Sequence, residues 1–255
     1  MSRKIDLIAD IGEGFGSYQI GDDDRLLDVL TSANVACGFH AGDPRTMEHA
    51  VLGCLERGVG IGAHPGFNDR VGFGRRTMDM SVEEIRTDVL YQIGALYAFV
   101  TAAGATLVHV APHGRLGNLT VTDERYATGV LDAIEAFDRS LLVVTQPGIL
   151  ERLACERGLR VGRLGFPDRA YEKDGTLVSR RDADAVLHDP ELIAERAVAI
   201  ATTGVLRSRD GAEVRVECDS LLLHGDNLAS VNAVHQVRSS LEKAGISIVP
   251  MTEII

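Results

Sequence analysis

The sequence lacks every cysteine pattern that would build a scaffold. Cys37, Cys54, Cys155 and Cys218 form no CxxC pair and show no metal-ligand spacing, so neither a disulfide framework nor a zinc knuckle is expected, and reduced, buried thiols are. Long apolar runs are missing too. Residues 141–144 and 221–223 fall far short of the ~20 residues of a membrane helix. Asp6, Asp10 and Glu13 interrupt the place where a secretory signal needs an unbroken apolar stretch, so the expected location is the cytoplasm. Basic charge is scarce, with 26 Lys and Arg against 37 Asp and Glu, a formal net charge of -11. That argues against nucleic acid or an anionic membrane as partner, because both depend on basic surface that releases counterions. A small molecule, another protein or a second copy of the chain remains. No linker, repeat or low-complexity segment divides the sequence, so residues 1–255 are expected to form one domain.

Short β-rich apolar runs alternate with amphipathic helical stretches from end to end, the pattern of parallel strands joined by crossover helices. Strands are expected near residues 4–9, 33–37, 60–63, 106–111, 141–145, 160–164 and 220–224, with a weak eighth near 247–250. Asp43-Pro44 and Asp189-Pro190 offer a capping carboxylate followed by proline at the first helical position. Ser81 with Glu84 reads as a capping box. Gly58, Gly104, Gly158 and Gly245 suit helix exits. Asp210-Gly211, flanked by β-favouring residues, reads as the turn of an inserted hairpin over residues 205–216. The fold class expected is α/β, a seven- or eight-stranded parallel sheet closed as a β/α barrel or left open as a doubly wound sheet. In both, ligands bind beyond the carboxyl ends of the strands.

The polar residues fall at those ends. Five of the eight histidines, His40, His64, His109, His113 and His224, sit at strand exits or just inside them. The period of two along a strand puts Asp6, Ile8 and Asp10 on one side, and His109, Ala111 and His113 on one side. If those sides face the barrel axis, Asp10, Glu13, His40, His64, His113, Asp168 and His224 converge on one mouth. Such a ring supplies the bases and charge-stabilising donors of acyl-transfer hydrolysis. A single His or Asp at a strand end is more often an ordinary loop or capping residue; repetition across six strands is what points to a site. Asp43 reads as a helix cap first, Asp6 equally well as a buried strand residue, and His49, His188 and His235 as structural. Gly72, Gly74, Arg75 and Arg76 fit an anion clamp and a solvated lid about equally. Carboxylates of the first strand with His40 and His64 also fit an open metal site. No HxxH or HExxH pair on one element supports it, and the metal stays unknown.

The strings DLIADIGEGFG, SANVACGFHAGDP, IGAHPGFNDRVGFGRR, LYQIGALYAF, HVAPHGRLGN, FPDRAYEKDGTLVSR, AVLHDP and LLLHGDN, in order over nearly the whole chain, resemble the LamB/YcsF family. The resemblance implies a seven-stranded β/α barrel related to polysaccharide deacetylases. It further implies opening of the 5-oxo-L-proline lactam to L-glutamate with ATP as co-substrate, performed with partner subunits B and C. The chain has no GxxxxGK[ST] loop, in keeping with nucleotide handling largely on the partners. On this resemblance Asp10, Glu13, His40, His64, His113 and His224 are the catalytic candidates. Asp6, Asp43, Asn118, Asp168, Arg169, Tyr171 and Asp226 are the substrate-binding ones. Asp10 or His113 would serve as general base, Arg169 would pair the substrate carboxylate, and His224 with Asp226 would transfer protons. The chain departs from the family at three places. DLIAD stands where the family reads DLNAD, and APHGRLGN where it reads KPHGALYN, so Ile8 replaces an asparagine, Ala111 a lysine and Gly117 a tyrosine. Loss of a lysine that stabilises a developing anion implies reduced, altered or absent activity, with a metal-dependent hydrolase or deacetylase on the same barrel, or a catalytically weakened binding subunit, as the alternative readings.

Overall fold

A computed structural model describes residues 3–225 and 228–255 of the chain, without the side chains of 228 and 229. Seven parallel strands close a ring: β1 (Lys4–Ile11), β2 (Ser32–Ala36), β3 (Gly60–His64), β4 (Leu107–Val110), β5 (Leu142–Thr145), β6 (Val161–Gly165) and β9 (Ser220–Leu223). β9 pairs with both β6 and β1, which leaves the ring no open edge. The barrel alternative is the one realised. The eighth strand, β10 (Ser247–Ile248), pairs in parallel, among the described residues, only with the start of β1, through Lys4 and Ile5, and so lies outside the ring. The expected hairpin is present as antiparallel β7 (Val205–Arg207) and β8 (Glu213–Arg215).

Closure follows from how the strands are buried. β2, β5 and β9 are buried at every position, the near-continuous apolar reading of strands covered on both faces. Their outward residues pack beneath α2 (Pro44–Arg57), α3 (Val82–Ala102), α5 (Glu124–Phe137), α7 (Pro190–Thr203) and α8 (Leu228–Lys243). Each fully buried Leu or Ile contributes about 1.5–3 kcal/mol.

Local caps set where each helix leaves the mouth. Asp43 Oδ1 accepts from the amides of Arg45 and Thr46 to start α2. Ser81 and Glu84 form the reciprocal capping box of α3. Gly58 ends α2 with φ 67°. β1 runs two residues beyond its expected end, because Asp10 and Ile11 still pair with Asn34 and Val35. The cysteines depart from expectation at Cys155, which lies exposed on α6 (Ile149–Glu156) while Leu150 and Ala154 take the buried side; Cys218 is half-buried.

Candidate active site at the barrel mouth

The inward side chains of β1 mark the depth of the barrel. At its lower end Asp6 is fully buried and accepts from the hydroxyls of Thr31 (2.8 Å), Ser32 (2.7 Å) and Ser220 (2.5 Å). Burial outweighs those donors and pushes its carboxyl up to about 6. Asp6 is thus enclosed beneath the mouth. Two residues on, Ile8 is also fully buried. At the upper end Asp10 Oδ1 accepts from Asn34 Nδ2 at 2.9 Å, and Asn34 Oδ1 accepts from His109 Nε2 at 2.8 Å. His109 fits because residue 62 is glycine: a Cβ there would lie 1.9 Å from His109 Nε2.

Above this floor four side chains meet. His64 Nδ1 lies 2.6 Å from the Ala111 carbonyl, and His113 Nε2 lies 2.9 Å from the Phe73 carbonyl. A carbonyl only accepts, so each of these nitrogens carries a proton. The other two nitrogens, His64 Nε2 and His113 Nδ1, face each other at 3.0 Å. In two neutral rings both would present lone pairs, so a proton or another cation must lie between them. Asp10 Oδ2 stands 3.3 Å from His64 Nε2, and Glu13 Oε1 stands 3.6 Å from His113 Nδ1 and 3.3 Å from His40 Nε2. The His40 and His113 rings stack at 3.7 Å.

The electrostatics follow from burial. Desolvation would raise the Asp10 carboxyl, but the His64 charge beside it prevails and holds it well below the usual carboxylate range. Burial, then the His64 charge, pulls His113 down to about 3. Burial first of all takes His40 far below its ordinary value and His109 to about 3. The mouth therefore offers the Asp10 carboxylate beside neutral His40 and His113 rings at neutral pH, above a neutral His109. Phe73 roofs it, with its ring edge-on to His40 and His113. Its φ of 54° is left-handed for a non-glycine residue, a strained setting that turns its carbonyl towards His113.

A second cluster joins β6 to β9. His224 Nδ1 lies 2.5 Å from Asp168 Oδ2, which also accepts from the His224 amide at 3.1 Å. Arg180 contacts His224 Nε2. The partner expected for His224, Asp226, lies outside the described residues. Arg169 is buried and donates to the carbonyls of Ala185 and Val178, so its guanidinium ties the loop after β6 together. The Tyr171 hydroxyl accepts from the Phe166 amide. Asp43 caps α2 and accepts from Gly16, and Asn118 is exposed on α4 (Gly114–Thr122). His49 and His235 pair with Asp24 and the Arg25 carbonyl on the outer surface. Asn34, Phe73 and the Ala111 carbonyl escape a reading that looks for ionisable groups. Asn34 did carry one signal, a polar residue inside an apolar strand.

Known proteins share this fold. A 5-oxoprolinase component of Thermococcus sibiricus is 48% identical over 254 residues, covering 99% of both chains. The crystal structure of a "Lactam Utilization Protein" from Thermus thermophilus superposes with a TM-score of 0.91 at 43% identity, over 96% of this chain and 99% of that one. A peptidoglycan deacetylase from Bacillus subtilis shares the fold alone, with a TM-score of 0.52 at 14% identity over 99% of this chain and 90% of that one. Residues 5–255 match the LamB/YcsF family from end to end, and the chain belongs to that family.

Proposed function

We propose that this chain is the lactam-opening subunit of an ATP-dependent 5-oxoprolinase, converting 5-oxo-L-proline to L-glutamate with partner subunits B and C. The observation that carries the reading is the meeting of Asp10, Glu13, His64 and His113 at one mouth, in a chain whose full-length relatives are named as components of a 5-oxoprolinase. A five-membered lactam is a poor electrophile. Phosphorylation of its carbonyl oxygen by ATP, handled with the partners, supplies a leaving group and makes attack by water feasible. Water held between His64, His113 and Glu13 loses its proton to Asp10 or His113. His40 positions Glu13 through its 3.3 Å contact. Asp168 holds His224 in the tautomer whose Nε2 can move a proton to or from the opened ring nitrogen once Arg180 shifts. Because Arg169 is occupied by backbone carbonyls, the anionic groups of the substrate fall to Arg75 and Arg180. The charge of Arg75 reaches both His40 and His113.

Ile8 and Ala111 are both buried and belong to the same continuous apolar core. That supports a coupled apolar replacement which preserves the fold and lowers turnover. The test is glutamate formation and 5-oxoproline-dependent ATP hydrolysis by the purified chain with its cognate partners. Turnover below that of relatives keeping the Asn and Lys is expected. Turnover equal to theirs would make the lysine dispensable. Hydrolysis without ATP would favour a simple amidase on the same barrel, and no glutamate with active partners would overturn the assignment.

A further inference from the structure

The contact between His64 Nε2 and His113 Nδ1 is the least explained feature of the mouth. Both nitrogens are acceptors once their opposite nitrogens donate to Ala111 and Phe73, yet they stand 3.0 Å apart with two carboxylates beside them. A shared proton satisfies one pair of acceptors. Glu13 Oε1 adds a carboxylate oxygen 3.6 Å from the His113 nitrogen.

We propose that Glu13 Oε1, His64 Nε2 and His113 Nδ1 hold one divalent transition-metal ion with a fourth position left open. His64 Nε2 and His113 Nδ1 stand 3.0 Å apart and His113 Nδ1 and Glu13 Oε1 3.6 Å apart, while Asp10 Oδ2 lies 3.3 Å from His64 Nε2, outside the group that closes within 4.8 Å. Bonds of about 2.0–2.2 Å to a single ion place adjacent donors ~3.3–3.6 Å apart in a tetrahedral sphere, and closer at right-angled positions. Both spacings within the group fall in that span. The nearest donor atoms of Glu13, His40, His64 and His113 lie within 4.8 Å of one another. His40 nevertheless stays outside the sphere. Its ring is stacked on His113 at 3.7 Å with 4° between the planes, and two parallel rings cannot both aim in-plane lone pairs at one ion. Its Nε2 instead faces Glu13 Oε1, the position of a group that orients a ligand from behind.

The donor set also selects the metal class. Two imidazoles and a carboxylate suit zinc, cobalt, nickel, manganese or iron better than magnesium or calcium, which prefer oxygen alone. No thiolate competes, because the Cys37 thiol donates to the Val35 carbonyl and burial pushes it up to about 12. The ion deepens the lactam-opening reading by naming the cation that holds its water, and with His113 Nδ1 then a ligand it leaves Asp10 to take the proton, but it rests on donor geometry and not on that activity. A water bound to such an ion ionises near neutral pH.

Metal binding by the full chain alone tests this. Chelator-treated protein titrated calorimetrically with Zn2+ should bind one equivalent with Kd below about 1 µM, and Co2+ should give a visible absorption band of bound cobalt. His113→Ala and Glu13→Ala should each weaken Zn2+ binding by at least ~100-fold with unchanged circular dichroism, and His40→Ala by roughly 10–100-fold, the usual effect of losing an orienting group. Wild-type protein that binds none of Zn2+, Co2+, Ni2+ and Mn2+ stoichiometrically overturns the proposal and leaves the shared proton, whatever the variants do. Full-affinity binding that survives both His113→Ala and Glu13→Ala overturns it as well. Neither measurement uses lactam turnover, so failure of the metal site and failure of the proposed function remain separate results.

Discussion

Replacing Asn34 with alanine removes the side chain that joins Asp10 to His109 across the barrel interior. The bond from Asn34 Nδ2 to the Asp10 carboxylate is charge-assisted, worth about 1.5–3 kcal/mol, and orphaning the buried His109 Nε2–H costs about 1–3 kcal/mol more. His109 is fully buried and its Nδ1 already has no partner, so it has no second way to satisfy the lost contact. A loss of about 3–5 kcal/mol is expected, a large share of the ~5–15 kcal/mol typical of a folded domain. For a chain of this size that lowers Tm by roughly 10 °C. Urea denaturation of wild type, Asn34→Ala, His109→Leu and the double variant measures it. In the His109→Leu background no N–H is orphaned, so Asn34→Ala should there cost about 1–2 kcal/mol less. Strictly additive costs, or a single-variant loss below ~1 kcal/mol, would refute the reasoning that a connected polar floor holds Asp10 in place.

Three further outcomes follow from the same interior. The native state holds the Asp6 proton more tightly than the unfolded chain, with a folded value of about 6 against 3.8, so its contribution is fully present below pH 3.8 and lost as pH rises through 6. Relative to Asp6→Asn, wild type should therefore lose about 2 kcal/mol between pH 4 and pH 7; a constant difference in denaturation midpoints across that window excludes the effect. Gly62→Ala places a Cβ 1.9 Å from His109 Nε2 and should destabilise by more than ~4 kcal/mol or prevent soluble expression. Gly94→Ala, with open space at its Cβ, should stabilise α3 by about 0.5–1 kcal/mol, and equal behaviour of the two glycines would contradict the packing account. Asp168→Asn should lower kcat in the reconstituted lactam assay by roughly 100-fold with KM little changed, because His224 loses the carboxylate charge that stabilises its protonated ring, and an amide no longer enforces its tautomer; an unchanged kcat removes His224 from proton transfer.

Much of this molecule is legible in its sequence because the signals are local. Alternating strand and helix patterns, Pro after Asp at two helix starts, and glycine after helix ends depend on contacts within a few residues, and the structure keeps them. The clustering of acids and imidazoles at strand exits is legible for the same reason, since strand direction alone places exits at one end. Four things required the tertiary structure. Closure of β9 onto β1 is a pairing between residues more than two hundred apart. The partner of His224 is Asp168 on another strand's exit. Arg169 turns its guanidinium into its own loop. Asp6 is sealed in a cage of three hydroxyls instead of reaching the mouth. Residue type and spacing determine which end of a strand a side chain occupies. Which atoms it then meets is decided by barrel curvature and register, which set distances between segments that the linear order leaves free.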